Sequence, residues 1–293
     1  MTLDLSHLSA PTRELAFQDA KARIQLVQAA RWVAFPRAGV AVDELERRFH
    51  YPTCARMPCM LLYGDSGMGK TMIMERFRDD NPPGFDPSTG RERTPVLAME
   101  MVGKPGERRF YAELLALLGA PQSPRADIVQ MEQAALRLLK AVGVQVLVID
   151  EVHNILAGSH RDQRVVLNTL RFLSNRLQIS LVCFGVTDAR EAISGDVQLA
   201  RRFEEFSIGR WAANEQFETL VSSILRNTPL RKPTVLTPKS LRRILQVTEG
   251  ITANIFHMIN SLAADAAQNG QERITDEVVE NWRPLSDGET AYA

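Results

Sequence analysis

Residues 64–71 of this chain, Gly-Asp-Ser-Gly-Met-Gly-Lys-Thr, match the phosphate-binding pattern G-x-x-x-x-G-K-[ST] without a mismatch. The glycines allow backbone turns that direct N–H groups toward a polyphosphate. Lys70 adds a positive charge for the β- and γ-phosphates, and the Thr71 hydroxyl is a ligand for Mg²⁺. The pattern predicts a nucleotide site, against the alternative of a glycine-rich turn. Its predicted nucleotide contacts are Gly64, Asp65, Ser66, Gly67, Met68, Gly69, Lys70, Thr71 and Met72.

A second motif, at residues 144–151, is an apolar run that ends in two carboxylates, Asp150 and Glu151. A parallel strand buried on both faces has such a continuous Val/Ile/Leu sequence, and functional groups cluster at the carboxyl ends of such strands. Asp150 is therefore predicted to bind the Mg²⁺ ion and Glu151 to polarise a water for attack on the γ-phosphate. The alternative is a strand followed by a solvated acidic turn.

An α/β core is needed to position these motifs. The apolar run 59–63 precedes the glycine loop and an amphipathic helix follows it, which is the context that a phosphate-binding loop requires. Alternating strands and helices indicate a parallel sheet covered by helices on both faces. The strands are predicted at 60–63, 95–101, 144–149, 180–185 and 203–209, and the helices at 70–80, 109–118, 126–142 and 162–177. The turn-rich segment 79–94 is predicted to be a mobile surface loop.

Four segments follow from these patterns. They are a helical N-terminal extension at 1–50, the core at 51–211, a helical lid at 212–285 and a polar tail at 286–293. In the lid, Asn214 and Thr275 are predicted N-caps, and Pro238 takes the first position of a helix. The lid helices are predicted at 214–227, 237–248, 251–268 and 275–282.

Composition excludes several classes of protein. The 293 residues are 45% hydrophobic and carry no net formal charge, so any contact with nucleic acid must come from local basic patches. Cys54, Cys59 and Cys183 lack the second Cys or His pair of a zinc site. Neither a signal peptide nor an apolar run of about 18 residues is found, so we expect a cytoplasmic protein without membrane contact.

The motifs together resemble those of the AAA+ ATPase superfamily, and within it the TniB/TnsC group of transposition regulators. This group belongs to Tn5053/Tn402-like and Tn7-like elements, including CRISPR-associated ones. The more specific similarities are Asp-Glu-Val-His-Asn-Ile-Leu at 150–156, Val-Cys-Phe-Gly-Val-Thr-Asp-Ala at 182–189 and Leu-Ala-Arg-Arg-Phe-Glu at 199–204. The resemblance covers residues 40–285. It implies a three-layer αβα core with a five-stranded parallel sheet of order 5-1-4-3-2, followed by an all-helical lid, with ATP as the nucleotide.

The same resemblance implies roles for further residues. Thr187 matches the sensor-1 position, and Arg202 matches the arginine finger that reaches the nucleotide of an adjacent protomer, with Arg201 as the second candidate. Lys70, Glu151 and Arg202 would then be the catalytic set. One departure concerns the lid, where the expected sensor-2 arginine is replaced by Ala253 or Asn254. With no second His nearby, His153 is interpreted as making a structural hydrogen bond rather than acting as a metal ligand or base.

A regulator of this group binds duplex DNA, and the sequence offers basic residues after the second and third predicted strands. Phosphate contacts from such residues give affinity without base reading. Ordinary solvated charges are the alternative for each of them. The predicted DNA-binding residues are Lys104, Arg108, Arg109, Arg161 and Arg164.

The resemblance implies an ATP-dependent regulator of DNA transposition that oligomerises on DNA as a hexameric ring or a helical filament. It would recruit and activate a DDE transposase together with a TniQ-like target-selection protein, and slow ATP hydrolysis, stimulated by DNA or partners, would drive disassembly. One alternative is a helicase-loader-like or IstB-like ATPase that remodels DNA or a replication partner. Another is a nucleotide-gated scaffold that never hydrolyses ATP; Glu151 argues against it, and the missing sensor-2 arginine argues weakly for it.

Overall fold

A computed structural model describes residues 4–29, 31–88, 90–121 and 126–284 of the chain. Two compact units divide it. One comprises residues 40–66 and 70–208, and we call it the α/β unit; the other comprises residues 1–39, 67–69 and 209–293, and we call it the helical unit. The polar tail predicted at 286–293 lies outside the described residues.

The α/β unit is built on one five-stranded parallel sheet. Its strands lie in the order β4-β5-β6-β1-β7. Counting only these five strands along the chain gives 5-1-4-3-2 when read from the β7 edge, so the predicted topology is confirmed. The strands are β1 (Cys59–Tyr63), β4 (Val96–Glu100), β5 (Val146–Asp150), β6 (Ser180–Gly185) and β7 (Phe203–Ser207).

Burial explains which strands lie at the centre. Every residue of β6 is buried, and only the last residue of β1 and of β5 is not, as expected for strands covered on both faces. The edge strand β7 has no buried residue, and its exposed side chains include Glu204 and Glu205. Charged side chains on an exposed edge discourage unwanted strand pairing.

The helices of this unit follow the expected apolar spacing. In the helix after the glycine loop, Lys70, Ile73, Met74 and Phe77 are buried, which is the i, i+3, i+4, i+7 stripe of one helix face. The helices are α3 (Pro36–Phe49, in this unit from Val40 onward), α4 (Lys70–Asp80), α5 (Glu107–Leu117), α6 (Ile128–Ala141), α7 (His160–Leu177), α8 (Ala189–Ser194) and α9 (Val197–Ala200). A 3₁₀ helix at Val152–Ala157 follows β5.

Two features of the α/β unit differ from the sequence prediction. The segment predicted as a turn-rich loop at 79–94 contains an antiparallel hairpin of β2 (Gly84–Asp86) and β3 (Arg91–Arg93), with Gly90 at φ 67° in its turn. Strands of three residues are too short to give a readable alternation, so the turn residues dominated the sequence signal. The sequence also does not predict the helices α8 and α9, because they have only six and four residues.

The helical unit joins the N-terminal residues to the lid helices. Arg23, only 2% exposed, donates two hydrogen bonds of 2.7 Å to the two carboxylate oxygens of Glu272, and a third to the Pro229 carbonyl. The Ser9 N–H donates to the Arg226 carbonyl at 2.9 Å. Its helices are α1 (Ala10–Leu15), α2 (Ala20–Gln28), α10 (Glu215–Arg226), α11 (Pro238–Thr248), α12 (Thr252–Gln268) and α13 (Asp276–Asn281).

Helix caps in this unit follow the sequence closely. The Asn214 side chain accepts a hydrogen bond from the Phe217 N–H, and Thr237 accepts one from the Ser240 N–H ahead of Pro238. Thr275 occupies the N-cap position of α13, but its side chain makes no capping hydrogen bond. Asp276, the next residue, instead accepts hydrogen bonds from Thr237 and Ser240. Among the described residues, no helix is both long and apolar enough to span a membrane.

Candidate nucleotide-binding site

The glycine loop begins directly at the carboxyl end of β1. A Cβ atom added to Gly64 would lie 2.2 Å from the Ile208 carbonyl oxygen, so a side chain does not fit there. Gly67 and Gly69 have φ values of 75° and 90°, in the region that strains residues with side chains. The loop therefore requires glycine at these three positions for reasons of backbone geometry.

The Lys70 side chain turns back into the loop. Its ammonium donates to the carbonyl oxygens of Gly64 and Asp65 at 2.8 and 2.9 Å, and the residue is 8% exposed. Burial lowers the pKa of this ammonium, and the charges of Glu151, Asp150 and Asp65 oppose that effect. The glycine loop and the Asp-Glu motif are thus close enough for their charges to interact.

Sheet register accounts for this proximity. In β5, Ile149 pairs with Cys183 of β6, which pairs with Leu61 of β1, so the carboxyl ends of the three strands lie at the same edge. Asp150 ends β5 and is partly exposed at that edge. Two strand spacings, about 10 Å, separate β5 from β1.

Glu151 has an unusual backbone conformation for a residue with a side chain. Its φ of 51° and ψ of 38° are left-handed, and its N–H donates to Asp150 Oδ1 at 2.8 Å. Such strain costs about 1–3 kcal/mol and is common at functional sites. His153 Nδ1 lies 3.1 Å from Glu151 Oε2, but the angles are not those of a hydrogen bond. The ring therefore lies beside the carboxylate, and the hydrogen bond predicted for His153 is not found at Nδ1 within the described residues.

The donor set fits Mg²⁺ bound together with a polyphosphate. Mg²⁺ uses one or two protein oxygens plus phosphate and water oxygens, and here the exposed Thr71 and the carboxylate of Asp150 supply such oxygens. No group of three or more His, Cys, Asp or Glu residues that would suit a different metal occurs in the described part of the chain. Cys59 and Cys183 are buried, and burial raises the pKa of both thiols, that of Cys59 to about 11.

Thr187, the predicted sensor-1 residue, follows β6 at the same sheet edge. It is exposed and lies two residues after Gly185, whose carbonyl accepts a hydrogen bond from the Gly64 N–H at 3.3 Å. Thr187 is thus near the start of the glycine loop.

Arg202 lies at the opposite end of the strands, directly before the amino end of β7. Its carbonyl accepts from the N–H of Cys59, the first residue of β1, whereas the glycine loop follows the last residue of that strand. The length of β1 puts about 13 Å between these two points. Arg202 donates from Nη1 to Asn175 Oδ1 at 2.6 Å, while Arg201 is exposed and has no side-chain partner among the described residues.

The predicted DNA-binding residues come together in space. The Asn154 side chain donates to the Met101 carbonyl at 2.7 Å, which joins the end of β4 to the 3₁₀ helix. A Cβ atom on Gly158 would lie 2.6 Å from Pro105 Cγ, so the loop after β4 packs closely against the start of α7. The predicted residues are all exposed: Lys104 on this loop, Arg108 and Arg109 in the first turn of α5 that follows it, and Arg161 and Arg164 near the start of α7. Arg108 also donates to the Ala126 carbonyl.

In the helical unit, the position predicted for sensor 2 carries no cation. Ala253, at the start of α12, donates its N–H to the Gly67 carbonyl at 2.8 Å, and its Cβ would be 3.2 Å from a Cβ on Gly67. The Asn254 side chain donates to the Thr248 carbonyl. The sequence did not predict this main-chain contact, because a backbone N–H leaves no signature in the residue type. It did not predict the Asn175–Arg202 hydrogen bond either, because Asn175 belongs to no recognisable motif.

Residues 23–213 match the model of the family described as bacterial TniB protein. A comparison with curated proteins gave no match. Among solved structures, the ORC2 protein of Aeropyrum pernix in ADPNP and ADP complexes is similar at a TM-score of 0.60 and 13% identity, covering 87% of this chain and 70% of that one.

Two further structures are similar at the same level. The Aeropyrum pernix ORC1 protein in complex with DNA has a TM-score of 0.56 and 16% identity, over 88% of this chain and 67% of that one. Cdc6p from Pyrobaculum aerophilum has a TM-score of 0.58 and 16% identity, over 85% and 67%. These similarities show that the chain has the α/β fold of AAA+ P-loop ATPases.

Proposed function

Because this chain belongs to the TniB family, we propose that it is an ATP-dependent, DNA-binding regulator of DNA transposition that assembles on duplex DNA. The observation that carries the proposal is the convergence at one sheet edge of the glycine loop, the Lys70 ammonium and the carboxylates of Asp150 and Glu151. That set of groups suits binding and hydrolysis of ATP.

Each residue of the site has a proposed task. The N–H groups of residues 64–72 and the amino end of α4 bind the phosphates, and the Lys70 ammonium stabilises charge on the β- and γ-phosphates. Thr71 and Asp150 hold Mg²⁺, which when bound neutralises phosphate charge. Glu151 accepts a proton from the attacking water, and Thr187 contacts the γ-phosphate region. The ADPNP and ADP complexes of the structurally similar ORC2 protein support nucleotide binding by this fold.

Arg202 acts in trans in this proposal. Since its backbone and the glycine loop of the same protomer are separated by the length of β1, Arg202 is poorly placed for its own nucleotide and well placed for that of a neighbour. A guanidinium supplied in trans stabilises the charge that develops on the γ-phosphoryl oxygens. Hydrolysis would remove the γ-phosphate from this interface and so weaken the assembly.

The exposed cations on the loop after β4, in the first turn of α5 and near the start of α7 form the proposed DNA-binding surface. Their contacts would be with phosphates, which give affinity without sequence preference. The DNA complex of the structurally similar ORC1 protein supports this use of the fold. The proposed downstream partners are a DDE transposase and a TniQ-like target-selection protein.

A second candidate function is a nucleotide-gated scaffold that binds ATP without turnover. The observation that favours it is Ala253, which stands where the resemblance expects a sensor-2 arginine and donates its backbone N–H to the Gly67 carbonyl. Steady-state phosphate release in the presence of DNA separates the two: turnover that Glu151→Gln abolishes supports the regulator, and no turnover supports the scaffold.

Negative-stain imaging tests assembly directly. The protein would be imaged with duplex DNA and ATP, ADP or ADPNP, alongside the Lys70→Ala variant. We expect rings or filaments only with DNA and a triphosphate, and none with Lys70→Ala. Monomers under every condition would contradict the proposal. In a separate unwinding assay, ATP-dependent strand opening would point to a helicase-loader-like activity.

A further inference from the structure

The arginines of the α/β unit differ in how their charge is compensated. Arg171 pairs with Asp196 at 2.9 Å, Arg190 with Glu205 at 2.8 Å, and Arg48 with both Glu44 and Glu204. Arg202 has no carboxylate partner among the described residues; its guanidinium donates to the neutral amide oxygen of Asn175 at 2.6 Å. Its position is therefore constrained while its full positive charge is kept.

Both ends of this hydrogen bond are anchored. Asn175 lies in the last turn of α7, where the preceding residue, Ser174, is buried and its Oγ donates to the Ile179 carbonyl at 2.9 Å. The Arg202 backbone is fixed by its N–H bond to the Leu199 carbonyl at 2.9 Å and by the bond from Cys59 to its own carbonyl at 3.0 Å. The Asn175 side chain itself is exposed, so it makes no contribution to the buried core.

We propose that Asn175 is a positioning residue for Arg202, which it holds ready for the nucleotide of a neighbouring copy of this chain. This inference rests on the proposed function, in which Arg202 acts in trans. A guanidinium has five N–H donors, so one bond to Asn175 leaves four for phosphate oxygens. An arginine side chain loses considerable rotamer freedom when its end is fixed, and Asn175 makes part of that loss occur before the neighbour arrives.

A neutral acceptor is central to this role. A carboxylate at position 175 would keep the geometry but compensate the charge that the γ-phosphate requires. Position and charge can therefore be separated by two substitutions. Asn175→Ala removes the hydrogen bond and leaves the charge, and Asn175→Asp keeps the acceptor and compensates the charge.

Asn168 provides a matched control. It lies two turns earlier on the same exposed face of α7, and its Oδ1 accepts from Arg171 Nη2 at 2.8 Å. Asn168→Ala thus removes an Asn–Arg hydrogen bond of the same type from the same helix, at an arginine that keeps its carboxylate partner.

The experiment measures DNA-stimulated phosphate release for the full chain. We expect Asn175→Ala to lower kcat about tenfold, the effect of losing one hydrogen bond to a charged group in the transition state, with little change in KM. We expect Asn175→Asp to lower it at least as much, and Asn168→Ala to resemble the unaltered chain. Equal activity of the Asp variant and the unaltered chain would overturn the requirement for a neutral acceptor.

Mixed assemblies test the action in trans. Protomers with Glu151→Gln cannot hydrolyse their own ATP but keep Arg202 and Asn175; mixed with Asn175→Ala protomers, they should raise activity above the sum of the two alone. A structural role of Asn175 within its own protomer predicts no such rescue. The Arg202→Ala variant separates the two hypotheses. If this variant is fully active, the proposed arginine finger is wrong. If it is inactive but rescued by Glu151→Gln protomers, and Asn175→Ala alone has full activity, only the role of Asn175 is wrong.

Discussion

Replacement of Arg23 by alanine should selectively destabilise the helical unit. Arg23 is 2% exposed and forms a bidentate ion pair with Glu272, whose side chain is 10% exposed. Breaking a buried pair by removing one partner costs about 3–5 kcal/mol, because the remaining charge stays buried. The Glu272 carboxylate would retain only the Arg231 N–H at 3.2 Å and the Arg231 side chain at 4.0 Å, so we expect a loss of about 3 kcal/mol.

Tryptophan fluorescence makes this loss measurable. All three tryptophans, Trp32, Trp211 and Trp282, belong to the helical unit, so intrinsic emission reports the unfolding of that unit alone. With a urea m-value of about 2 kcal/mol/M, a loss of 3 kcal/mol lowers the midpoint by about 1.5 M. Lys239→Ala is the control. It removes an exposed ion pair with Glu280 at 3.5 Å, and such pairs contribute about 0–1 kcal/mol.

The pH dependence follows from the same contact. Burial raises the pKa of the Glu272 carboxyl, but the Arg23 side chain and the Arg231 N–H outweigh it, so the pKa lies below its ordinary value of 4.5. A carboxyl with a lowered pKa in the folded state stabilises the fold above pH 4.5, and this stabilisation is lost as pH falls through the lowered pKa. The difference between the unaltered chain and Arg23→Ala should therefore shrink on acidification. Equal midpoint shifts for Arg23→Ala and Lys239→Ala at pH 7 would refute the reasoning.

Three further substitutions test the nucleotide and DNA sites. Glu151→Gln should lower phosphate release at least about 100-fold without weakening ATP binding, measured with a fluorescent nucleotide; retained turnover would exclude Glu151 as the base. Gly64→Ala should cost about 1–3 kcal/mol in thermal unfolding because its Cβ would overlap the Ile208 carbonyl, whereas Gly39→Ala, with open space around it, should not destabilise. Lys104→Glu should weaken binding to all duplex sequences and reduce the slope of log affinity against log salt by about 1. The control Lys140→Glu on α6 should change neither quantity. An unchanged slope for Lys104→Glu would remove Lys104 from the proposed DNA-binding surface.

The resemblance to the AAA+ ATPases implied the order of the sheet. The strands themselves could be predicted because the two motifs and the strand–helix alternation each have a strong local signal. The apolar run ending in Asp150 indicates a central strand, and the glycine loop identifies its own preceding strand. The short hairpin at residues 84–93 has no comparable signal, since each strand has only three residues.

Contacts between distant residues could not be predicted from local patterns. Arg23 and Glu272 are separated by 249 residues, and Asn175 and Arg202 by 27. Of these four residues, only Arg202 lies in a recognisable motif. The left-handed backbone of Glu151 is also invisible in the sequence, where glutamate would suggest an ordinary helix or loop conformation. Sequence therefore identified the groups proposed to contact phosphate more readily than those proposed to orient them.

Strand β1 lies between the proposed arginine finger and the glycine loop, and its length would have a consequence for the proposed assembly. One end of β1 is hydrogen-bonded to the Arg202 carbonyl, and the other end leads into Gly64. The five-residue strand therefore fixes the spacing between Arg202 and the glycine loop on each copy. In a head-to-tail array, this spacing would be repeated at every interface between copies. The small rotation between neighbouring copies would then decide whether the array closes into a ring or continues as a helix. Inserting one residue into β1 would change this spacing at every interface of the array, so its effect on assembly would multiply with the number of copies.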